Sequence, residues 1–266
     1  MAAAGAVERY LEGKHAIVTG GSRGIGAAVA AALARRGAAL TLMARSADAL
    51  ARHAEALGRE FGVRVATLAC DVSDDASVAA AFARALGGGG PPHVLVNSAG
   101  VAESAPFDAT SRALWDRMLA VNLTGTYACT AQVLPAMLEA RGGRIVNVAS
   151  TAGLRGYKTM TAYCAAKHGV VGFTRALAQE TAKHGVTVNA VCPGYTDTDM
   201  TDAAVRNVVA TLGKTPEEAR AMLVRVIPRG TLTAPDEVAG AVSWLCAPEA
   251  AAVTGVALPV AGGEVS

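Results

Sequence analysis

The sequence has few aromatic rings, little net charge and no long uninterrupted apolar run. Aromatic residues are 4% of the 266, and 24 Lys and Arg against 22 Asp and Glu leave a formal charge of +2. So small a charge gives no electrostatic footing for a nucleic-acid or membrane partner. The scarcity of rings, with Ala and Gly making up the bulk, points to helices packed closely on a sheet rather than to an aromatic-rich binding surface. No stretch approaches the ~18 consecutive apolar residues of a membrane span. Residues 1–5 are Ala-rich but lack a basic segment followed by an apolar run, so no secretory leader is expected. Cys70, Cys129, Cys164, Cys192 and Cys246 are scattered, with no CxxC pair and no histidine at ligand spacing. Such an odd, dispersed set reads as reduced thiols. Neither a disulfide framework nor a metal site is expected, and the expected location is cytoplasmic.

What is present is a core. Hydrophobic residues supply 52% of the chain and charged residues 17%, which argues against global disorder. Short β-branched or apolar runs at 15–19, 39–43, 63–69, 94–97, 144–148, 186–191 and 256–260 alternate with helical stretches. The latter lie at 24–36, 47–61, 75–86, 111–139, 161–184 and 235–245. Strands with little internal alternation, each followed by a helix, imply a parallel sheet covered on both faces. The expected fold class is therefore α/β, a doubly wound parallel sheet in a single domain over 1–266. No linker, charge block or repeat divides it, and Gly87 to Pro92 reads as a turn before the fourth strand. Residues 198–227 break the alternation, being helical in character without a strand. Ligands bind outside the carboxyl ends of the strands in such sheets, so a helical substrate lid is expected there; a plain surface insertion is the alternative.

Directly after the first strand comes Thr19-Gly20-Gly21-Ser22-Arg23-Gly24-Ile25-Gly26. Glycines at a strand-to-helix turn let the backbone approach a pyrophosphate, which then sits at the positive helix N-terminus. Tight turns need glycine anyway, but this one lies where a dinucleotide site requires it. After the second strand the chain reads Met43-Ala44-Arg45-Ser46. NAD-preferring enzymes of this fold place an acid here for the ribose 2′-hydroxyl, whereas a guanidinium pairs with a 2′-phosphate. Ala44, Arg45 and the second cation Arg23 therefore favour NADP(H) over NAD.

The Gly-rich turn, spaced TGxxxGxG, resembles that of the short-chain dehydrogenase/reductase family. Four further motifs in the family's order carry the resemblance over nearly the whole chain. Cys70-Asp71-Val72 ends the third strand, and Asn97-Ser98-Ala99-Gly100 is similar to the family's NNAG with Ser98 replacing the second Asn. Tyr163-Cys164-Ala165-Ala166-Lys167 matches YxxxK, and Pro193-Gly194-Tyr195-Thr196-Asp197-Thr198 matches PGxxxT. The resemblance implies a Rossmann-type fold. It implies that Asp71 contacts adenine, with Val72, Asn97, Ala99, Gly100, Pro193, Gly194, Thr196 and Thr198 along the rest of the cofactor. Ala261-Gly262-Gly263 stands where many relatives have Asp-Gly-Gly, a change expected at a subunit contact rather than in the chemistry.

The same resemblance implies a catalytic set of Asn122, Ser150, Tyr163 and Lys167, each of which alone has an ordinary reading as a helix or turn residue. Tyr and Lys at i and i+4 share one helical face and can point into one cleft. A nearby ammonium favours tyrosinate relative to the free phenol at ~10, so Tyr163 can donate a proton in reduction and accept one in oxidation. Ser150 would hydrogen-bond the substrate oxygen. Lys167 would also hold the nicotinamide ribose, and Asn122 a water linking Lys167 to solvent. His168 follows Lys167, but one helical step turns a side chain ~100° away, so it is expected to pack or face solvent. Cys164 and Cys192 are expected to be structural, since hydride transfer needs no thiol.

Residues 192–201 and the overall pattern look like 3-oxoacyl-carrier-protein reductases, acetoacetyl-CoA reductases and polyketide ketoreductases. The expected function is NADP(H)-dependent interconversion of a ketone and a secondary alcohol on a small, CoA-bound or carrier-bound substrate, such as a 3-oxoacyl thioester. The alternatives are an NAD-dependent 3-hydroxyacyl-CoA or alicyclic alcohol dehydrogenase and, in another class, a non-catalytic dinucleotide sensor. The sensor would have no need of Ser150, Tyr163 and Lys167 together. Arg141 and Lys183-His184 could meet a carrier or CoA phosphate, or simply complement a helix dipole. Met200, Val205, Val208, Val209, Leu212, Met222, Leu223, Val226 and Ile227 in the lid could cover an acyl chain or pack on the domain. Relatives associate through the helices at 111–139 and 161–184 and the final strand. Ala128, Ala131, Ala165, Ala166 and Gly172 would allow close approach there, so a homotetramer is expected, with a dimer as fallback.

Overall fold

The computed structural model describes residues 8–89 and 91–265, so the expectation drawn from residues 1–5 lies outside the described residues. The strands are β1 His15–Thr19, β2 Ala39–Ala44, β3 Val65–Ala69, β4 Val94–Asn97, β5 Gly143–Val148, β6 Val186–Pro193 and β7 Ala257–Val260. They form one sheet in the order β3-β2-β1-β4-β5-β6-β7, every neighbouring pair parallel. The helices are α1 Gly24–Arg35, α2 Ala47–Phe61, α3 Asp75–Gly89, α4 Arg112–Leu119, α5 Gly125–Glu139, α6 Thr161–Thr181, α7 Asp199–Leu212, α8 Pro216–Val224 and α9 Pro235–Leu245.

The strands read as continuous apolar runs because both faces are covered. Successive side chains alternate between faces. Val18, Leu40, Val96, Val146 and Val191 pack under Val29 and Leu33 of α1 and Val238 and Val242 of α9. Ile17, Met43, Leu95, Ile145 and Val188 pack under Phe82 of α3, Val133 and Met137 of α5 and Leu177 of α6. The strand order reverses at β1 and β4, and this opens the crevice at their carboxyl ends that a ligand can enter.

Three of the departures from the sequence expectation have a plain physical cause. The single helix expected over 111–139 is interrupted at Ala120–Thr124 by a π turn, in which the Gly125 N–H reaches the Ala120 carbonyl. The turn expected from Gly87 does not begin there, because α3 continues to Gly89: an established helix gains a hydrogen bond with each residue added. β6 runs on to Pro193 because β7 pairs with its end, Pro193 opposite Val260. Residues 198–227 do form helices without a strand, and Thr198 lies against Gly24 at the carboxyl edge of the sheet. No helix among the described residues is long and apolar enough to cross a membrane.

Candidate active site

The Gly-rich turn is shaped by backbone contact. A Cβ on Gly20, whose φ is 68°, would stand 2.9 Å from the Ala99 backbone, and one on Gly26 would stand 2.2 Å from the Gly20 carbonyl oxygen. Neither neighbour can yield, so both positions need glycine. The Thr19 hydroxyl accepts the Ser98 and Ala99 N–H groups at 3.1 and 3.2 Å and ties the ends of β1 and β4 together. α1 starts without a side-chain cap and without an acid in its first turn. Its free N–H groups therefore face the crevice where an anion is favoured. The cradle a side chain would fill and these unpaired donors together fit a pyrophosphate.

Arg45 is exposed at the end of β2 with Ala44 beside it. Hydrogen bonds from the Ser73 hydroxyl and amide, at 2.6 and 3.0 Å, hold the Asp71 carboxyl below the usual carboxylate range, and Arg45 adds a smaller attraction. Val72 is buried, with Gly125 so close that a Cβ there would stand 2.8 Å from the Val72 carbonyl oxygen. Arg23 does not hang free. It pairs with Asp199 of α7 at 3.2 Å, so the turn and α7 are joined across the crevice.

The expected catalytic residues come together from three segments. Ser150 follows β5 and its Oγ accepts the Ala152 N–H at 3.1 Å, leaving the hydroxyl proton for another acceptor. The next turn lies hard against α6: a Cβ on Gly153 would stand 2.7 Å from the Lys167 carbonyl oxygen. Tyr163 and Lys167 share the inner face of α6, 8% and 5% exposed, with Lys167 Nζ 5.7 Å from the Tyr163 ring centre. Lys167 Nζ donates to the Val148 carbonyl at 2.8 Å. Burial lowers Lys167 to about 8. Burial also pushes Tyr163 up to about 12, offset in part by a hydrogen bond from Ser150. Loss of water is the largest influence on the Tyr163 hydroxyl here.

Asn122 sits in the π turn, its amide fully committed. Nδ2 donates to the Val101 and Met118 carbonyls at 2.9 and 3.0 Å, and Oδ1 accepts the Val101 N–H at 3.2 Å. Asn122 Oδ1 and Lys167 Nζ flank Gly100, where a Cβ would lie 3.0 and 3.7 Å from them. The Asn97 side chain points elsewhere. Its Nδ2 donates to Thr130 and Asn147 inside the sheet, and Asn147 donates to Thr174. Pro193 and Gly194 close the end of β6, Thr196 donates to the Gly194 carbonyl, and Thr198 donates to Thr196.

His168 is exposed and bonded through Nδ1 to the Cys164 carbonyl, while all five cysteines are free and buried. Among the described residues no three His, Cys, Asp or Glu cluster as metal donors. Arg141 meets Lys183, donating to its carbonyl at 3.2 Å, but both lie where β5 and β6 begin, at the sheet edge opposite Ser150. The apolar lid residues mostly satisfy one another: Val205, Ala219 and Leu223 form a small core with Tyr195, Val208 and Val209. Of the residues expected to cover a substrate, Met200, Leu212 and Val226 remain exposed. Sequence reading missed the Thr19 clamp and the Gly153 contact. The TG pair hinted at the first; nothing local marks the second, whose partner is fourteen residues away on α6.

A family model described as short chain dehydrogenase matches residues 14–208. The chain is 42% identical over 253 residues to the 3-oxoacyl-(acyl-carrier-protein) reductase of Pseudomonas aeruginosa, covering 95% of this chain and 98% of that one. Among solved structures, a variant of actinorhodin polyketide ketoreductase with NADPH superposes with a TM-score of 0.91 at 40% identity, covering 94% of this chain and 97% of that one. Levodione reductase superposes with a TM-score of 0.92 at 31% identity, covering 96% and 98%.

Proposed function

The chain belongs to the short-chain dehydrogenase family, and on that premise we propose that it is an NADPH-dependent ketoreductase acting on 3-oxoacyl thioesters or related ketones. The observation that carries this reading is the convergence of Ser150, Tyr163 and Lys167 on one wall beside the glycine cradle. The cofactor supplies the hydride. Gly20, Ser22, Gly24, Ile25 and Gly26 would hold its pyrophosphate at the start of α1, with Arg23 and Thr198 at the lid side. Arg45 would take the 2′-phosphate, since no acid stands at Ala44 to repel it. Asp71 and Val72 would border the adenine, Ala99, Gly100 and the Asn97 backbone the middle, and Pro193, Gly194 and Thr196 the nicotinamide side.

Tyr163, protonated throughout the neutral range because burial pushes it to about 12, gives its proton to the carbonyl oxygen in reduction. Ser150, one of its two lone pairs taken by the Ala152 N–H, donates to the same oxygen as alkoxide character develops. Lys167 carries charge below about 8, holds the ribose, and stabilises the tyrosinate left behind. Asn122, its amide locked on Val101 and Met118, shapes the π turn beside Lys167, where a water relay to solvent would sit. We assign the chain to the cytosol, consistent with its five free thiols. We also assign it a homotetrameric state built on α5 and α6, where Tyr127, 59% exposed, meets Phe173 edge-on at 6.4 Å beside exposed Ala131 and Gly172.

The test is kcat/KM with NADPH and NADH against acetoacetyl-CoA, cyclic ketones and diketones. Acetoacetyl-CoA should turn over with NADPH preferred. Arg45→Ala should cut that preference by roughly ten- to a hundredfold, the worth of a charge-assisted bidentate contact of ~1.5–3 kcal/mol. Preference for NADH that Arg45→Ala leaves unchanged would sink the cofactor assignment, and turnover of cyclic ketones alone would sink the thioester.

A further inference from the structure

The C-terminal residues hold a buried acid that the reaction above does not use. After β7 the chain turns back through Gly262 (φ 58°) and Gly263 (φ 89°), left-handed backbone that glycine adopts without strain. That turn delivers Glu264 into the interior, its side chain only 1% exposed. Carboxylates are seldom so buried unless they are paired. Glu264 Oε1 lies 2.5 Å from the Tyr157 hydroxyl, which lies 2.8 Å from the Thr151 hydroxyl. A phenol has one proton and a carboxylate has none, so Tyr157 donates to Glu264 and accepts from Thr151. Arg155 stacks 4.6 Å over the Tyr157 ring, lies 3.8 Å from Oε1, and donates to the Glu264 carbonyl at 3.3 Å. Oε2 has no hydrogen-bond partner and presses on the Pro193-Gly194 turn, where a Cβ on Gly194 would stand 2.6 Å from it.

Glu264 thus joins two segments that meet at the site: the turn that begins at Ser150, through Thr151 and Tyr157, and the turn that ends β6. An orphaned carboxylate oxygen costs stability, and a tail needed only for packing would be better served by an apolar residue of similar size. We propose that Glu264 is a positioning residue for carbonyl reduction, acting through Tyr157 and Thr151 to hold the Ser150 turn in register with the Gly194 turn. The C-terminal tail then sets the distance between the Ser150 turn and the nicotinamide-side Gly194 turn. This inference rests on the ketoreductase reading, and its test has a readout that does not.

The test uses the full chain saturated with NADPH, comparing Glu264→Leu, Glu264→Gln, Tyr157→Phe and the double variant Tyr157→Phe/Glu264→Leu. In Glu264→Leu, kcat on acetoacetyl-CoA should fall at least about tenfold, since small misplacements of a reacting group cost that much or more. Amides 151–157 should exchange with deuterium about tenfold faster, while amides 20–26 at the far end of the crevice do not change. Glu264→Gln, whose amide oxygen still accepts from Tyr157, should recover kcat to within about threefold. The double variant should be no worse than Glu264→Leu alone, because both changes break the same chain. Full activity and unchanged exchange in Glu264→Leu, or additive losses in the double variant, would each overturn the proposal. Should Glu264→Leu fail to fold, Tyr157→Phe decides: unchanged kcat and unchanged exchange at 151–157 overturn it. Absence of acetoacetyl-CoA turnover in the unsubstituted protein would count against the proposed substrate, and exchange at 151–157 would still decide for Glu264.

Discussion

The cofactor side of the crevice and the lid are held by different forces. On the cofactor side, backbone meets backbone: Gly26 against the Gly20 carbonyl, Gly20 against Ala99, and the Thr19 hydroxyl clamping two amides. The lid has a small core of Val205, Ala219 and Leu223 and is tied down by ion pairs. Arg220 reaches Asp197 at 2.6 Å and Asp202 at 3.4 Å, and Arg23 reaches Asp199 at 3.2 Å, all through exposed side chains. Exposed pairs of this kind contribute roughly 0–1 kcal/mol each and weaken with salt. One side is therefore held by close packing of backbone and the other by pairs that each contribute little. That division suits a cofactor of one fixed shape on the preformed side, exchanged as a spent hydride donor on each turnover, and a ketone that enters past the other side.

The largest expected effect separates chemistry from both sides. Tyr163→Phe keeps the ring but removes the transferable proton, so kcat should fall about 10²- to 10⁴-fold while NADPH affinity holds. In the unsubstituted protein the rate of reduction should decline as pH rises through about 8, where Lys167 loses its charge, because Tyr163, at about 12, is still protonated there. Near-full activity in folded Tyr163→Phe, or a rate flat to pH 10, would count against this assignment. Next comes the preformed side: Gly26→Ala drives a Cβ to 2.2 Å from a backbone oxygen that cannot retreat. Thermal melts should show a loss toward the upper end of the ~1–3 kcal/mol typical of overpacking, with NADPH binding lost as well. A variant that binds NADPH normally would mean that the turn is softer than its contacts imply. The smallest effect belongs to the lid. Arg220→Ala should cost under about 1 kcal/mol in stability yet raise KM for the ketone, more at low salt than at high. A stability loss as large as that of Gly26→Ala would erase the contrast between the two sides.

Much of the site was legible before any coordinates. The TGxxxGxG turn needs glycine at given positions because of local backbone geometry, and Tyr163 and Lys167 share a face because of helical periodicity. Both facts lie in short stretches of chain. The direction of the Tyr163 shift was not legible. Lys167 at i+4 points one way, while burial within the assembled wall, a property no local spacing records, raises the phenol instead. Asn97 was read as a cofactor contact from its motif, but its side chain had partners, Thr130 and Asn147, that only the folded sheet brings within reach.

By itself, the sequence determined the doubly wound order of elements, the glycine turn and the pairing of Tyr163 with Lys167, because each follows from periodicity or from backbone conformation over a few residues. The tertiary structure alone decided the π turn that carries Asn122, the closure of the lid's apolar residues on themselves, and the descent of Glu264 beneath the Gly194 turn. Each of these depends on which surfaces remain for a side chain once the sheet is assembled. The partners of Glu264 lie more than a hundred residues upstream, and no local pattern records a contact of that range.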